Sequence, residues 1–331
     1  MVKTEVRRPG TPSSSAGVLT PRQRVAIWIR RHKLAPYLLL LPATAVIGAL
    51  ILWPAVQIGV FSFQNYGLMQ ILGTEPTQWV GFGNYTQVLH DPEFWLSLKI
   101  SVLFALVVVP LSLIVGTLVG LLLAKLGRKM ATFVSTAALL AWATPAVSAS
   151  VIFAWLVQPD GGIADWALSK LPGWLGGGAH WTGFSWTNQT LPAYTVVTLL
   201  LVWQGFPFIA VTVLAGLRTI PDELHEAARV DGAGPWRIFW KVTYPLLKPI
   251  FLVLALLSTI WDFGVFTQLY IVAGALGNRD EYNLGLYEYS RAFTQPPAYG
   301  VASAIAFILT IILLIVTIGY ARAAIKQGAL S

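Results

Sequence analysis

Asp262 is an acid inside a long apolar run, with Ser258, Trp261 and Gln268 nearby. At about 100° per residue, a helix through this run places Ser258 about 40°, Val265 about 60°, Trp261 about 100° and Gln268 about 120° from Asp262. Acid, hydroxyl, indole and amide then share one side. An unpaired acid or amide at hydrocarbon depth costs on the order of several kcal/mol, so each invites a functional reading. Two further runs carry matching chemistry, Trp203-Gln204-Gly205-Phe206-Pro207 and Trp142-Ala143-Thr144-Pro145. Gly205, Pro207 and Pro145 are expected to weaken their helices and free backbone carbonyls, which are tolerable only against protein or a wet cavity. Flat indoles for C–H faces, with amides and a carboxylate for hydroxyls, are the groups that engage a sugar. Each residue also has an ordinary alternative. Trp142, Thr144 and Trp203 suit helix packing, and Asp262 suits a hydrogen bond from one helix to another.

A second stretch, Thr219 to Pro249, is charged and aromatic and lies between two apolar runs. Pro221 suits the first position of a helix, where its missing N–H is no loss, and Asp222 and Glu223 suit the helix dipole. Asp231-Gly232-Ala233-Gly234-Pro235 supplies two residues tolerant of positive φ and a proline, so the chain is expected to break and turn there. Trp236 to Tyr244 resumes a helical pattern, which Pro245 and Pro249 are expected to end. A short amphipathic helix lying on lipid is the alternative reading of this stretch.

The elements that hold these residues are membrane spans. Of 331 residues, 56% are hydrophobic and 11% charged, with a mean hydropathy of +0.68, which excludes an ordinary soluble domain. Six apolar segments are each long enough for a hydrocarbon layer of about 30 Å, roughly 34–60, 97–124, 131–157, 192–217, 249–275 and 298–320. The net charge of +8 is sorted by side rather than gathered on a nucleic-acid-binding face. The basic tail 1–33, the turn at Lys125, Arg128 and Lys129, the 219–249 loop and the C-terminal segment 323–331 with Arg322 just before it hold nearly all the cations. The opposite side has only Lys99, Lys170, Arg279 and Arg291. Both termini and the loop are therefore expected in the cytoplasm. Tyr37, Trp53, Trp79, Trp95 and Trp181 read as interfacial anchors. There is no cysteine, the four histidines lack metal-ligand spacing, and no phosphate-binding Gly-x-x-x-x-Gly-Lys-Ser/Thr occurs. Gly116 and Gly120 form a GxxxG, read as packing within the chain.

Glu226-Ala227-Ala228, three residues, Gly232, nine residues and Val242-Thr243-Tyr244-Pro245 resemble the signature loop of ABC importer permeases. Trp79-Val80-Gly81-Phe82-Gly83-Asn84-Tyr85 with Asp91-Pro92-Glu93-Phe94-Trp95 resembles the segment before the second span in the maltose-type carbohydrate branch. The resemblance covers 34–322 and implies an all-α membrane protein of six transmembrane helices, the type I importer permease fold. Its coupling helix, between helices 4 and 5, implies that Glu226, Ala227, Ala228, Asp231 and Gly232 dock into an ATPase. Asp262, Gln204, Trp203, Trp261, Ser258, Gln268, Trp142 and Thr144 are the candidate substrate pathway. The implied partners are a second homologous permease, two cytoplasmic ATPase subunits, an extracytoplasmic sugar-binding protein and the lipid bilayer. The resemblance further implies a prokaryotic plasma membrane, no catalysis by this chain, and ATP and Mg used by the ATPase rather than bound here. The expected cargo is a di- or oligosaccharide, with chitobiose, cellobiose, maltose and trehalose as comparable candidates and glycerol phosphate as an alternative. An ion-coupled carrier using Asp262 and an enzyme of lipid-linked sugars are the rival classes. The signature loop argues against the first, and the lack of paired outer-face carboxylates or a histidine cluster against the second.

Overall fold

A computed structural model of the protein describes residues 35–159, 161–187, 189–274, 281–294 and 296–326. The tail 1–33, the side chain of Tyr37 and Arg279 lie outside that description. The chain divides into two units at Gln57 and Ile58. The first contains α1 (Ala35–Ile47), which passes through a π-turn at Gly48–Leu52 into α2 (Trp53–Phe61). The wide turn falls just ahead of Pro54, where a regular α-turn would set the proline ring against the Leu50 carbonyl, one turn back.

In the second unit, β1 (Gln64–Asn65), α3 (Leu68–Ile71), β2 (Gln78–Trp79) and α4 (Gly83–His90) form the connection that precedes the second span. Asn84 is buried in the Trp79–Tyr85 motif, and its amide donates to the carbonyls of Ser62 and Gln64, both at 2.9 Å. Tyr85 bonds Ser62 at 2.7 Å. The motif thus closes this connection on itself. α5 (Pro92–Lys125) follows, with Asp91 capping it by accepting from the Glu93 amide and Pro92 at its first position.

α6 (Arg128–Trp142) and α7 (Ala146–Leu156) occupy the segment expected as one span, but meet at 90°. Pro145 has no N–H for the ladder and takes an extended ψ of 136°, so the segment is two helices. Next along the chain is α8 (Ile163–Lys170). Buried Asp165 on α8 accepts from the Phe184 amide at 2.9 Å and the Trp186 indole at 2.6 Å. Trp181, expected as a membrane anchor, stacks on Trp186 at 5.2 Å.

α9 (Thr190–Leu217) runs unbroken through Gly205 and Pro207, against the expectation that these would weaken it. Its neighbour α5 supports it along the GxxxG stripe. A Cβ at Gly116 would lie 2.5 Å from Ile209, and one at Gly120 would lie 2.9 Å from the Ala210 carbonyl. Close backbone approach therefore joins two helices of the same chain. Gly120→Ile is expected to destabilise by about 1–3 kcal/mol through overpacking, measured as a lower melting temperature. An unchanged melting temperature would contradict this packing.

α10 (Asp222–Val230) and α11 (Pro235–Ile238) make a hairpin. Its second limb continues through a π-turn, Phe239–Thr243, into α12 (Tyr244–Phe263), so Pro245 and Pro249 do not end it. The wide turn again falls just ahead of a proline, here Pro245. The fifth segment, expected over 249–275, is thus a helix from Pro235 to Phe263, a break at Gly264, and the separate α13 (Thr267–Val272). α14 (Leu284–Phe293) and α15 (Tyr299–Lys326) complete the described chain. Tyr287 and Arg291 of α14 both reach Asp91, the former at 2.6 Å, and Arg291 also pairs with Glu93 at 3.1 Å, pinning α14 to the start of α5. By length and composition five helices among the described residues suit a membrane, or six if the bent pair is one span. The main core lies where α5, α7, α9, α13 and α14 meet, around Val108, Leu200 and Leu269.

Candidate functional site

The break in the third segment leaves the Thr144 carbonyl without a helical partner, and the Gln204 side chain of α9 donates to it at 3.4 Å. Gln204 in turn accepts from the Gln268 amide of α13 at 3.3 Å. Three residues distant in sequence therefore form one amide chain across the third, fourth and fifth segments. One turn further along α9, Phe208 stacks on Trp142 at 5.6 Å and meets Trp261 edge-on at 5.7 Å. Gln204 and Phe208 lie about 6 Å apart along the helix axis, on one face. Polar amides and flat rings are thus adjacent. Trp142 and Trp261 keep 41% and 50% of their surface exposed, so both present a ring face beyond this packing.

The expected arc around Asp262 does not survive intact. Gly264 ends the helix two residues after Asp262, so the rotation per residue holds for Ser258 and Trp261 but not for Val265 or Gln268. Asp262 stands in the last turn of α12 rather than mid-span. It is half-buried, and no donor among the described residues bonds its carboxylate. Ser258 is buried, and Trp203 packs into the main core, tilted against Phe153 at 5.8 Å. Asp262 and Trp203 therefore stand outside the amide chain.

What holds the break open is α14. Asn283 is fully buried, donates to the Val265 carbonyl at 2.6 Å and caps α14 by accepting from the Leu286 amide at 3.0 Å. A Cβ on Gly285 would lie 2.9 Å from the Gly264 carbonyl. Sequence reasoning missed Asn283, Gly285 and Phe208. Phe208 was findable one turn from Gln204, whereas Asn283 is a routine cap by sequence. One turn after Gly285, Glu288 is half-buried, and burial pushes its carboxyl up to about 7. The folded state then holds a proton that the unfolded state releases near pH 4.5, so stability falls as pH rises from there past 7. Glu288→Gln is expected to gain on wild type in melting temperature across that window. A constant difference from pH 4 to 8 would contradict it.

The hairpin expected between Thr219 and Pro249 forms, with one change at its start. Pro221 is the residue before the helix, with ψ 134°, and α10 begins at Asp222. At the turn, the Ala233 amide donates to the Ala228 carbonyl at 2.9 Å and the Gly232 amide to that of Arg229 at 3.0 Å. These two bonds with Gly232 at φ +74° make a Schellman closure. Gly234 stays extended at φ −72°, so only one glycine is needed for its handedness. His225 bonds Thr243 at 3.2 Å, clasping the limbs. Glu226, Ala227, Asp231 and Gly232 are exposed and Ala228 is half-buried. Val230 is 87% exposed and Trp236 75% exposed, so the tip presents apolar surface beside its charges.

A family profile described as binding-protein-dependent transport system inner membrane component matches residues 116–327. The chain is 41% identical over 329 residues to a diacetylchitobiose uptake system permease protein of Streptomyces coelicolor, covering 98% of each. It is 33% identical to a sulfoquinovosyl glycerol transport system permease protein of Agrobacterium fabrum, covering 88% of this chain and 90% of that one. It is 29% identical to a trehalose/maltose transport system permease protein of Thermococcus litoralis, covering 86% and 92%. Its fold matches a chain of a bacterial ABC transporter involved in alginate import, with a TM-score of 0.72 at 18% identity over 92% of this chain and 99% of that one. The fold is thus that of ABC importer permeases. The chain belongs to the family of binding-protein-dependent transport system inner membrane components.

Proposed function

We propose that this chain is the membrane-spanning permease subunit of an ATP-driven importer, and that it forms the pathway for a di- or oligosaccharide handed over by an extracytoplasmic binding protein. The observation that carries the sugar reading is the amide chain of Gln268, Gln204 and the Thr144 carbonyl beside the rings of Trp142 and Trp261. The names of the relatives, which concern diacetylchitobiose, sulfoquinovosyl glycerol and trehalose/maltose, support the same cargo class.

The chain's part is mechanical. Glu226, Ala227, Ala228, Asp231 and Gly232 seat the hairpin in a cytoplasmic ATPase, which binds ATP and Mg, while a second permease completes the channel. The helix from Pro235 to Phe263 has 29 residues, about 43 Å at 1.5 Å per residue. A displacement of the hairpin is therefore delivered along one rod to Asp262 and the break at Gly264, which suits alternating access. Charge sorting supports cytoplasmic termini. Activity of alkaline phosphatase fused after Arg322 would overturn that orientation.

Uptake of labelled chitobiose, cellobiose, maltose and trehalose by cells with and without the chain tests the function. Loss of none of them would refute the sugar reading. For Asp262, replacement by asparagine is expected to lower uptake about fivefold and unequally between two sugars, while ATP hydrolysis stimulated by the loaded binding protein survives. Equal uptake of both sugars by variant and wild type would remove Asp262 from the pathway.

A further inference from the structure

Between the ends of the long helices and the coupling hairpin lies a cavity of about 780 Å³. Lys125, the last residue of α5, and Arg218, just past the end of α9, line it from the bundle side. Arg229 and His225 line it from α10, and Asp222 is the one acid in the wall. Among the described residues Lys125, Arg218 and Arg229 form no salt bridge. Three unpaired cations around one cavity make a field that a compact anion relieves. The cavity also sits where α5 and α9 stop being apolar, which is the depth of lipid headgroups. Leu121 and Leu217 line it as well, offering apolar surface to the carbon skeleton of a bound amphiphile.

We propose that this cavity binds a phosphate-bearing anion, from either a lipid headgroup of the adjoining leaflet or free phosphate. Only the assignment to the cytoplasmic leaflet rests on the orientation proposed above. The ligand would bridge Lys125 and Arg218 on the bundle to Arg229 on the hairpin, stiffening the seat of the coupling helix. Transport does not enter the test, so a failure here is distinguishable from a failure of the permease reading.

The full chain is purified in detergent, and retention of phosphatidylglycerol and phosphatidylcholine is compared by native mass spectrometry, alongside melting temperature in inorganic phosphate. Wild type is expected to prefer phosphatidylglycerol, and Lys125→Gln/Arg218→Gln/Arg229→Gln to bind it roughly a hundredfold more weakly. Arg237→Gln/Lys241→Gln/Lys248→Gln removes the same charge outside the cavity and is expected to retain the preference. Arg218→Lys, which keeps the cation, is expected to retain it too. A melting shift in inorganic phosphate, confined to proteins with the cavity cations and without lipid preference, would assign the site to free phosphate. Equal retention by the two triple variants, with no phosphate-dependent shift, would overturn the proposal.

Discussion

Glu226→Lys is expected to leave the chain inserted in the membrane at wild-type amounts and to lower uptake by at least about tenfold. Glu226 is exposed on α10 and takes part in no salt bridge among the described residues, so reversing its charge disturbs little within the chain itself. Surface changes of this kind usually alter stability by about 0.5 kcal/mol or less. A charge that meets a partner is different, since a like-charge juxtaposition at an interface costs about several kcal/mol. Gly232→Val reaches the same phenotype by another route. Nothing lies within 4 Å of where its Cβ would be, but its φ of +74° penalises a β-branched residue by about 1–2 kcal/mol or more and opens the Schellman closure. Copurification of the ATPase and uptake are measured together. Normal values of both for Glu226→Lys would sink the coupling assignment.

Gln204→Leu is expected to have the largest effect within the bundle. The substitution keeps much of the volume but leaves the Thr144 carbonyl and the Gln268 amide without their partner. Each group so stranded costs about 1–3 kcal/mol. Uptake is expected to fall about tenfold to a hundredfold, with Gln204→Glu, which keeps an acceptor for Gln268, falling less for one sugar than for another. A residue that only braces the helices would lower the yield of folded protein and change uptake of every sugar by one factor. Reconstituted vesicles with two sugars separate these outcomes, and equal uptake by Gln204→Leu and wild type would exclude Gln204 from the pathway.

The sequence by itself determined the features that depend on local physics. Apolar runs must be about 20 residues long to cross hydrocarbon, so the spans were legible to within about two residues at α9 and at the start of α15, which runs on to Lys326. Gly232 sits where only a residue tolerant of positive φ can close a helix, so the hairpin was legible too. The fate of the prolines was decided by the tertiary structure. Pro207, Pro245 and Pro249 lie inside continuous helix, whereas Pro145 marks a 90° bend. A proline always removes one N–H and crowds one carbonyl, but whether the chain bends depends on what stands ready to satisfy the freed groups. At Thr144 that is the Gln204 amide, 60 positions along the chain. At Gly264 the break is held by Asn283 and by the close approach of Gly285. The break separates Gln268 from Asp262 and hands it to Gln204, because Gly264 leaves the helical conformation at φ −109° and ψ 30°, and a rotation of about 100° per residue does not carry across it.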